Sequence, residues 1–289
     1  MLKGSAFMKK LIKIIAVILV VAVAFSVLIP TTVTASAGSL NYLVLGDSIG
    51  VGAGIINPGE ASYGRIVADT NGYNYENHAV SGYNTGAMLA HIKLPHVRKS
   101  IKEADIISLS IGGNDFLTSN MVQLGFEAAV LDKFSTFDKI AESFYKNYCK
   151  IISEIKELNP DAVILAQTLY NPMDNAITGF YQQGVDRLNA GYRRYLNENP
   201  GSIVIVDVAK AFKGHPEYIA NDCVHPNAQG NVVIAKLVLQ TLKDLGIGTK
   251  TTPVINYEGV NNRFLKPFKE IIYLIVDVAE ILVPDLFVI

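Results

Sequence analysis

The sequence predicts a doubly wound α/β sandwich, in which helices cover both faces of a parallel sheet. Four short apolar runs predict strands buried on both sides, because they are continuous rather than alternating with polar residues. These runs span residues 42–45, 106–111, 163–166 and 203–206. A weaker run at 73–80 predicts a fifth strand. Strand and helix alternate five times along the chain, which indicates right-handed crossovers between parallel strands.

Three helices follow from the spacing of apolar residues between and after these strands. Residues 137–158 place apolar side chains three and four positions apart, and Asn159 and Pro160 end the pattern. Residues 176–197 and 228–244 show the same periodicity. In sheets of this kind ligands bind beyond the carboxyl ends of the strands. The chemistry of the protein is therefore expected where each strand ends.

Composition excludes several classes of protein. The chain of 289 residues has 25 Lys and Arg against 26 Asp and Glu, and half of its residues are hydrophobic. These values exclude a disordered chain and a basic nucleic-acid binder. The two cysteines, Cys149 and Cys223, are too few for a disulfide scaffold or a cysteine-rich zinc module. Two buried thiols are expected, with a bridge between them as the alternative.

The first 37 residues have the three parts of a secretory signal peptide. Basic residues up to Lys13 precede an apolar stretch at 14–29, and Ala35-Ser36-Ala37 provides small residues two positions apart. Cleavage is expected after Ala37, which would give an extracellular or cell-envelope protein. The alternative is a retained membrane anchor, because the apolar stretch approaches the roughly 20 residues of a membrane span.

The sequence divides the remaining chain into a main domain, residues 38–247, and two short C-terminal segments. Residues 248–262 are rich in Gly, Thr and Asn and predict a linker. Residues 263–289 predict an amphipathic helix, whose apolar face carries Phe264, Phe268, Ile271, Ile275, Val278 and Leu282. Its partner is the main domain, a second subunit or, alternatively, a membrane interface.

Three strands end in residues suited to stabilising a developing negative charge. The first is followed by Gly46-Asp47-Ser48, where a serine on a tight turn offers its hydroxyl as a nucleophile and its N–H as a donor. The second ends near Gly82, whose bare backbone can approach a substrate, and the third is followed by Asn114, whose amide donates without carrying charge. Each segment alone is also compatible with an ordinary turn or cap.

A possible acid–base pair follows the last strand. Asp222 stands three positions before His225, in a loop that Pro226 closes at the start of the final helix. The carboxylate can fold back onto one ring nitrogen and leave the other free to act as a base. A helix cap or a surface pair is an equally good explanation of these two residues alone.

Other polar residues are expected to be structural. His78, His91 and His96 show no spacing typical of zinc ligands. A hydrogen-bonded role is expected for His78. Asp115, beside Asn114, is expected to cap or brace its loop.

Together the four strand-end segments resemble the signature blocks of the SGNH hydrolases, also called the GDSL esterase/lipase family. The resemblance runs from about residue 41 to about residue 245, and residues 169–172, Leu-Tyr-Asn-Pro, strengthen a similarity to exported bacterial acylhydrolases. The positions that give the family its name are occupied by Ser48, Gly82, Asn114 and His225.

The resemblance implies a flavodoxin-like sheet of strand order 2-1-3-4-5 and hydrolysis of an acyl ester without metal or cofactor. It implies that Ser48 attacks the carbonyl, that His225 carries the proton and that Asp222 orients the imidazole. It also implies an oxyanion hole made by the N–H groups of Ser48 and Gly82 and by the Asn114 side chain.

The substrate is expected to be a small-molecule or lipid ester, with a fatty-acyl ester favoured. Apolar residues between Phe116 and Phe134 leave the third strand beside Asn114, so they could wall an acyl groove or act as a lid. The alternative for this stretch is an ordinary helix packed on the sheet. Alternatives for the whole protein are a carbohydrate O-deacetylase of the same fold and a non-catalytic binding module of the cell envelope.

Overall fold

The computed structural model describes residues 39–119, 123, 124, 127, 131, 133–172 and 178–262, with only the backbone described at 178–180. The predicted signal peptide, residues 1–37, and the predicted helical tail, residues 263–289, lie outside these ranges. The same holds for much of the predicted wall between Phe116 and Phe134.

A five-stranded sheet forms the centre of the domain. Its spatial order is β2-β1-β3-β4-β5, and every pair of neighbours is parallel. The predicted doubly wound sheet and its strand order are therefore confirmed. The strands are β1 Asn41–Gly46, β2 Asn74–Asn77, β3 Ile106–Ser110, β4 Val163–Gln167 and β5 Val204–Val206.

Helices cover both faces of this sheet. The predicted helix at 228–244 is confirmed at those bounds, whereas the one predicted at 137–158 starts two residues earlier. The described helices are α1 Ser48–Val51, α2 Pro58–Ala61, α3 Tyr63–Asn71, α4 Thr85–His91, α5 Pro95–Glu103, α6 Gly113–Leu117, α7 Ser135–Leu158, α8 Thr178–Glu198, α9 Val208–Phe212 and α10 Ala228–Asp244, with a 3-10 turn at Pro216–Tyr218.

Two apolar clusters fill the space between the sheet and its helices. Alternate residues of β1 point to opposite faces, so Leu43 and Leu45 join the cluster under α7 and α8. Tyr42 and Val44 join the cluster under α3 and α10. Burial on both faces explains why the central strands are continuous apolar runs in the sequence.

The edge strand β2 is the exception to this pattern. Asn74, Glu76 and Asn77 are exposed, and β2 is shorter than the predicted run at 73–80. An edge strand is only partly covered by the helices, so it needs few apolar side chains. Polar side chains at the edge also discourage pairing with a strand of another chain. This accounts for the weakness of the signal in the sequence.

Residues 250–262, called here the C-terminal strap, lie against the domain surface. Backbone N–H groups of Lys250 and Val254 donate to side chains of α3. Farther along, the N–H of Ile56 donates to the carbonyl of Val260 at 2.9 Å. The sequence predicted a linker at 248–262. The segment contains no helix and only a single β-bridge, but it is docked by these contacts rather than extended into solvent.

Two further observations concern membrane spans and cysteines. None of the helices in the described ranges combines the length and the apolar character that a membrane span requires. Cys149 and Cys223 are both free thiols, and Cys223 is buried as expected, whereas Cys149 is only partly buried because it lies at the edge of the core.

Candidate active site

Ser48 stands at the tip of a tight turn between β1 and α1. Gly46 has φ +130°, and a Cβ there would lie 1.9 Å from the carbonyl oxygen of Ser110, so only glycine fits. Asp47 caps the helix by accepting the N–H of Ile49 at 3.0 Å. Ser48 is therefore the first helical residue, and its own N–H has no acceptor within the helix.

The structure brings Ser48, His225 and Asp222 together. The Oγ of Ser48 lies 2.7 Å from Nε2 of His225, although 177 positions separate them in the chain. Nδ1 of His225 lies 2.7 Å from Oδ2 of Asp222. Because an ionised carboxylate can only accept, Nδ1 carries the proton and Nε2 is left to accept the serine hydroxyl.

Asp222 is held in its ionised form by several donors. Burial alone would raise its pKa, but the hydrogen bonds from the ring and the N–H of His225 outweigh that effect and lower the pKa below its usual range. Its Oδ1 accepts the backbone N–H groups of Val224 at 3.0 Å and His225 at 2.9 Å. This side chain therefore fixes both the imidazole and the loop that carries it.

Cys223 gives this loop an unusual backbone. With φ +59° it is the only described non-glycine residue in the left-handed region, and it is buried. Because the chain turns at Cys223, the Asp222 side chain can accept the N–H groups of Val224 and His225. The sequence shows only that a cysteine stands between Asp222 and His225. Its left-handed backbone could not be predicted, because the φ angle of a single residue leaves no periodic pattern in the sequence.

The loops that carry Gly82 and Asn114 are joined by a hydrogen bond. Nδ2 of Asn114 donates to the carbonyl of Tyr83 at 2.9 Å, which orients the amide and leaves its second N–H for another acceptor. Gly82, with φ +84°, lies in the exposed turn after β2. The N–H of Ser48 at the start of α1, the N–H of Gly82 in its turn and the Asn114 amide at the start of α6 thus all lie beyond the carboxyl ends of the strands.

Asp115 braces the same two loops, as expected. Its carboxylate accepts the backbone N–H of Thr85 at 2.9 Å and also the Thr85 hydroxyl. Burial raises the pKa of Asp115, and these bonds partly oppose the rise. The contact holds the start of α4 against α6.

The three histidines form a small cluster beside the Gly82 loop. The ring of His78 lies 5.4 Å from that of His96, and Nε2 of His91 bonds the carbonyl of His78 at 3.0 Å. His78 also bonds the hydroxyl of Ser100 at 2.9 Å. Over the described ranges, no three His, Cys, Asp or Glu side chains are grouped so as to hold a metal ion. These contacts support a structural role for His78.

A mostly apolar cavity, open to solvent, lies next to Ser48. The predicted wall contributes Phe116 and Leu117. Six of the fourteen lining residues come instead from the loop after β4 and from α8, whose apolar face was recognised in the sequence but not assigned to the site. The cavity is lined by Asp47, Ser48, Ile49, Gly113, Asn114, Phe116, Leu117, Leu169, Tyr170, Pro172, Tyr181, Val185, Leu188 and Val224.

One residue of the lining also contacts residues 222–226, which carry His225 and are called here the histidine loop. The buried Tyr170 donates its hydroxyl to the carbonyl of Val224 at 2.7 Å. Val224 directly precedes His225, so the cavity wall and the loop share this bond. Burial raises the pKa of Tyr170 well above its ordinary value, so the hydroxyl keeps its proton.

Asp47 is a buried carboxyl group directly before Ser48 in the chain. Burial raises its pKa from 3.8 to about 7, although the N–H of Ile49 and the hydroxyl of Ser110 oppose the rise. Between these two pH values the folded protein holds a proton that the unfolded chain has released, so stability falls as pH rises. The full effect corresponds to about 4 kcal/mol.

We expect Asp47→Asn to remove this pH dependence. The amide oxygen can still accept from Ile49, and no charge is left to bury. From pH 5 to pH 8 the wild type should therefore lose more stability than the variant. Urea unfolding at both pH values measures the free energy of unfolding of each protein. Asp207→Asn removes the same charge from an exposed helix cap and serves as the control. Parallel pH curves for Asp47→Asn and the wild type would contradict the expectation.

Comparison with known proteins was made by family, sequence and structure. A model of the GDSL-like lipase/acylhydrolase family matches residues 44–233. The uncharacterised protein YpmR of Bacillus subtilis is 30% identical over 217 residues, covering 70% of this chain and 81% of YpmR. The spore germination lipase LipC of Bacillus licheniformis is 30% identical over 206 residues, covering 66% of this chain and 91% of LipC.

Solved structures give the same result. A lipase from a goat rumen metagenome superposes with a TM-score of 0.57 and 26% identity, covering 73% of this chain and 99% of that lipase. A phospholipase A1 from Streptomyces albidoflavus has a TM-score of 0.55 at 19% identity, covering 71% and 99%, and at that identity it supports the fold alone.

Proposed function

Because the chain belongs to the GDSL-like lipase/acylhydrolase family and is a carboxylic ester hydrolase, we propose that it cleaves fatty-acyl esters with Ser48 as the nucleophile. The hydrogen-bonded row of Asp222, His225 and Ser48 supports the assignment of the catalytic residues. The apolar cavity beside Ser48 is the observation that carries the choice of acyl group.

The proposed reaction has two stages. Ser48 Oγ attacks the ester carbonyl while Nε2 of His225 takes the hydroxyl proton, and Asp222 stabilises the imidazolium that forms. The imidazolium then gives the proton to the departing alcohol, which leaves an acyl group on Ser48. Water attacks this acyl group with His225 again taking a proton, and the fatty acid departs as the serine hydroxyl is restored.

The oxyanion that forms in each stage needs donors already in place. We assign this role to the N–H groups of Ser48 and Gly82 and to the second N–H of the Asn114 amide. The bond from Asn114 to Tyr83 supports the assignment, because it holds the amide in one orientation before substrate arrives. Donors fixed in this way cost no reorganisation during the reaction, and each is typically worth about 10² to 10³ in rate.

The cavity favours an alkyl chain over a sugar. Its walls at Phe116, Leu188 and Val185 offer aliphatic and aromatic surface, whereas a sugar requires hydrogen-bonding partners around its ring. Phe116 is buried, and its ring packs against Tyr181 at 5.3 Å and Phe137 at 5.4 Å. These contacts hold the ring in place as part of the cavity wall.

A series of p-nitrophenyl esters tests the proposed substrate class. We expect kcat/KM to rise from the acetyl ester to medium-chain acyl esters, because each buried methylene contributes about 0.8 kcal/mol. A sharp preference for acetyl would overturn the fatty-acyl assignment and favour the carbohydrate O-deacetylase.

Gly184→Ala should shift this chain-length profile. A Cβ at Gly184 would lie 2.6 Å from the ring of Phe116, so the ring must move and narrow the cavity. We expect kcat/KM for the medium-chain ester to fall about tenfold relative to acetyl. Gly191→Ala is the control, because it crowds Phe144 in the core from the same helix. Equal profiles for the two variants would remove Phe116 from chain-length selection.

We further propose that the enzyme acts outside the cytoplasm. The basic start, the apolar stretch at 14–29 and Ala35-Ser36-Ala37 support export. N-terminal sequencing of the exported protein should begin at Gly38, whereas an intact N-terminus would favour the retained anchor. Peripheral membrane contact through residues 263–289 stays a prediction of the sequence.

A further inference from the structure

The end of the C-terminal strap contacts both chain segments that carry the site. The strap, residues 250–262, lies outside residues 44–233 that the family model matches. Asn261 forms an antiparallel bridge with Ile55, which follows the nucleophile helix α1. The side chain of Asn261 accepts the N–H of Ala228 at 2.8 Å, just beyond the histidine loop.

Asn262, the next residue of the strap, also contacts both segments, and it does so on the other side of the histidine loop. The carbonyl of Asn262 accepts Nδ2 of Asn221 at 3.1 Å, and its N–H donates to the carbonyl of Gly54 at 3.4 Å. Asn221 precedes Asp222 directly. Two consecutive strap residues thus bind the chain on either side of the Asp222–His225 pair.

The two segments also touch directly beneath the strap. A Cβ at Gly54 would lie 2.1 Å from the carbonyl oxygen of Pro226, so the two backbones are in close contact there. Pro226 in turn forms a bridge with Ile219. The strap therefore lies across a seam in which the chain after Ser48 meets the chain around His225.

The distance on which the proposed mechanism depends joins the two segments that meet at this seam. Ser48 and His225 come from opposite ends of the domain and meet at 2.7 Å through side chains alone. Small displacements of a catalytic group cost large factors in rate, because the reacting atoms must be aligned before reaction.

We propose that Asn261 is a positioning residue, which holds the histidine loop in register with the nucleophile helix. The proposal rests on the proposed function of the same site. Asn261 does more than cap a helix end, since α10 already has its own cap in Asn227, whose side chain accepts the N–H of Gly230 at 2.9 Å. The strap thereby adds to the site a part that the family match does not include.

The test compares Asn261→Ala with Asn256→Ala in the full chain. Asn256 also binds the domain from the strap, but its side chain donates to Asp69 of α3 at 2.9 Å rather than to a residue next to the histidine loop. For p-nitrophenyl acetate we expect Asn261→Ala to lower kcat about tenfold with KM unchanged, and Asn256→Ala to leave both unchanged. The rate of labelling of Ser48 by a fluorophosphonate should fall in parallel with kcat.

A rescue separates positioning from simple stabilisation. Asn261→Asp keeps an oxygen that can accept the N–H of Ala228 at a helix N-terminus, so it should restore kcat. If Asn261→Ala fails to fold, Asn221→Ala removes the second contact and should lower kcat in the same way. Equal kcat values for Asn261→Ala and Asn256→Ala at matched folded fractions would overturn the proposal. A wild-type protein that is not labelled at Ser48 would instead overturn the proposed function.

Discussion

Ser48→Ala is expected to lower kcat by about 10⁶-fold and to abolish labelling by a fluorophosphonate. The variant removes the hydroxyl that is proposed to bond covalently to the acyl group, whereas the cavity and the proposed oxyanion donors stay in place. Ser48 is buried within a short helix that Asp47 caps, and alanine fits the same backbone. Hydrolysis of a p-nitrophenyl ester and mass spectrometry of the labelled protein measure the two effects.

The control for this variant is Ser81→Ala. Ser81 is exposed in the turn beside Gly82, so its removal keeps the backbone N–H groups of the site. We expect full labelling and a wild-type rate in the control. Residual labelling of Ser48→Ala at the wild-type level would place the nucleophile elsewhere, and a well-folded wild type without labelling would favour the non-catalytic binding module.

Asp222→Asn is expected to lower kcat by about 10⁴-fold while the protein stays folded. The oxygen of asparagine can still accept from Val224 and His225, so the loop keeps its turn. The amide NH₂ then faces Nδ1 of His225 and can only donate to it. The imidazole takes the tautomer with the proton on Nε2, which cannot accept the proton of Ser48.

Asp207→Asn is the matched control for this variant. Asp207 caps α9 by accepting the N–H of Lys210 at 3.2 Å, and it bonds the hydroxyl of Thr168 rather than a histidine. Its replacement should leave kcat within a factor of two or so, in line with a surface substitution. A wild-type rate in Asp222→Asn, with an unchanged far-UV CD spectrum, would remove Asp222 from the mechanism.

The layout of the sheet could be predicted because its signals are local. Each central strand is buried on both faces and so appears as a continuous apolar run, and each crossover helix repeats apolar residues at three and four positions. The edge strand at Asn74–Asn77 gave a weaker and longer signal, because one exposed side needs few apolar residues.

The polar residues of the site were accessible from the sequence for a related reason. Parallel strands bring their carboxyl ends to one edge, so residues that follow different strands meet there. The structure places Ser48, Asp222 and His225 within hydrogen-bond reach, as the sequence analysis expected. The cavity wall on α8 was missed because the residues at Tyr181 and Val185 look like any buried helical face.

The strap illustrates a second limit of the sequence. Its Gly, Thr and Asn content is typical of a linker, but two of its asparagines, Asn256 and Asn261, make side-chain hydrogen bonds that dock it. Pairing between Asn261 and Ile55 joins positions far apart in the chain, and no periodicity records such a contact. The left-handed backbone at Cys223 is invisible for the same reason.

The bond from Tyr170 to Val224 links the wall of the cavity to the loop that carries the imidazole. An acyl group too wide for the cavity would displace the Tyr170 ring and take away the hydrogen bond that the loop carbonyl accepts. Oversized esters would then bind but be hydrolysed more slowly. Their binding affinity alone would underestimate how strongly the enzyme discriminates against them. Under the proposed mechanism, ester selectivity is therefore expected in kcat as well as in the dissociation constant.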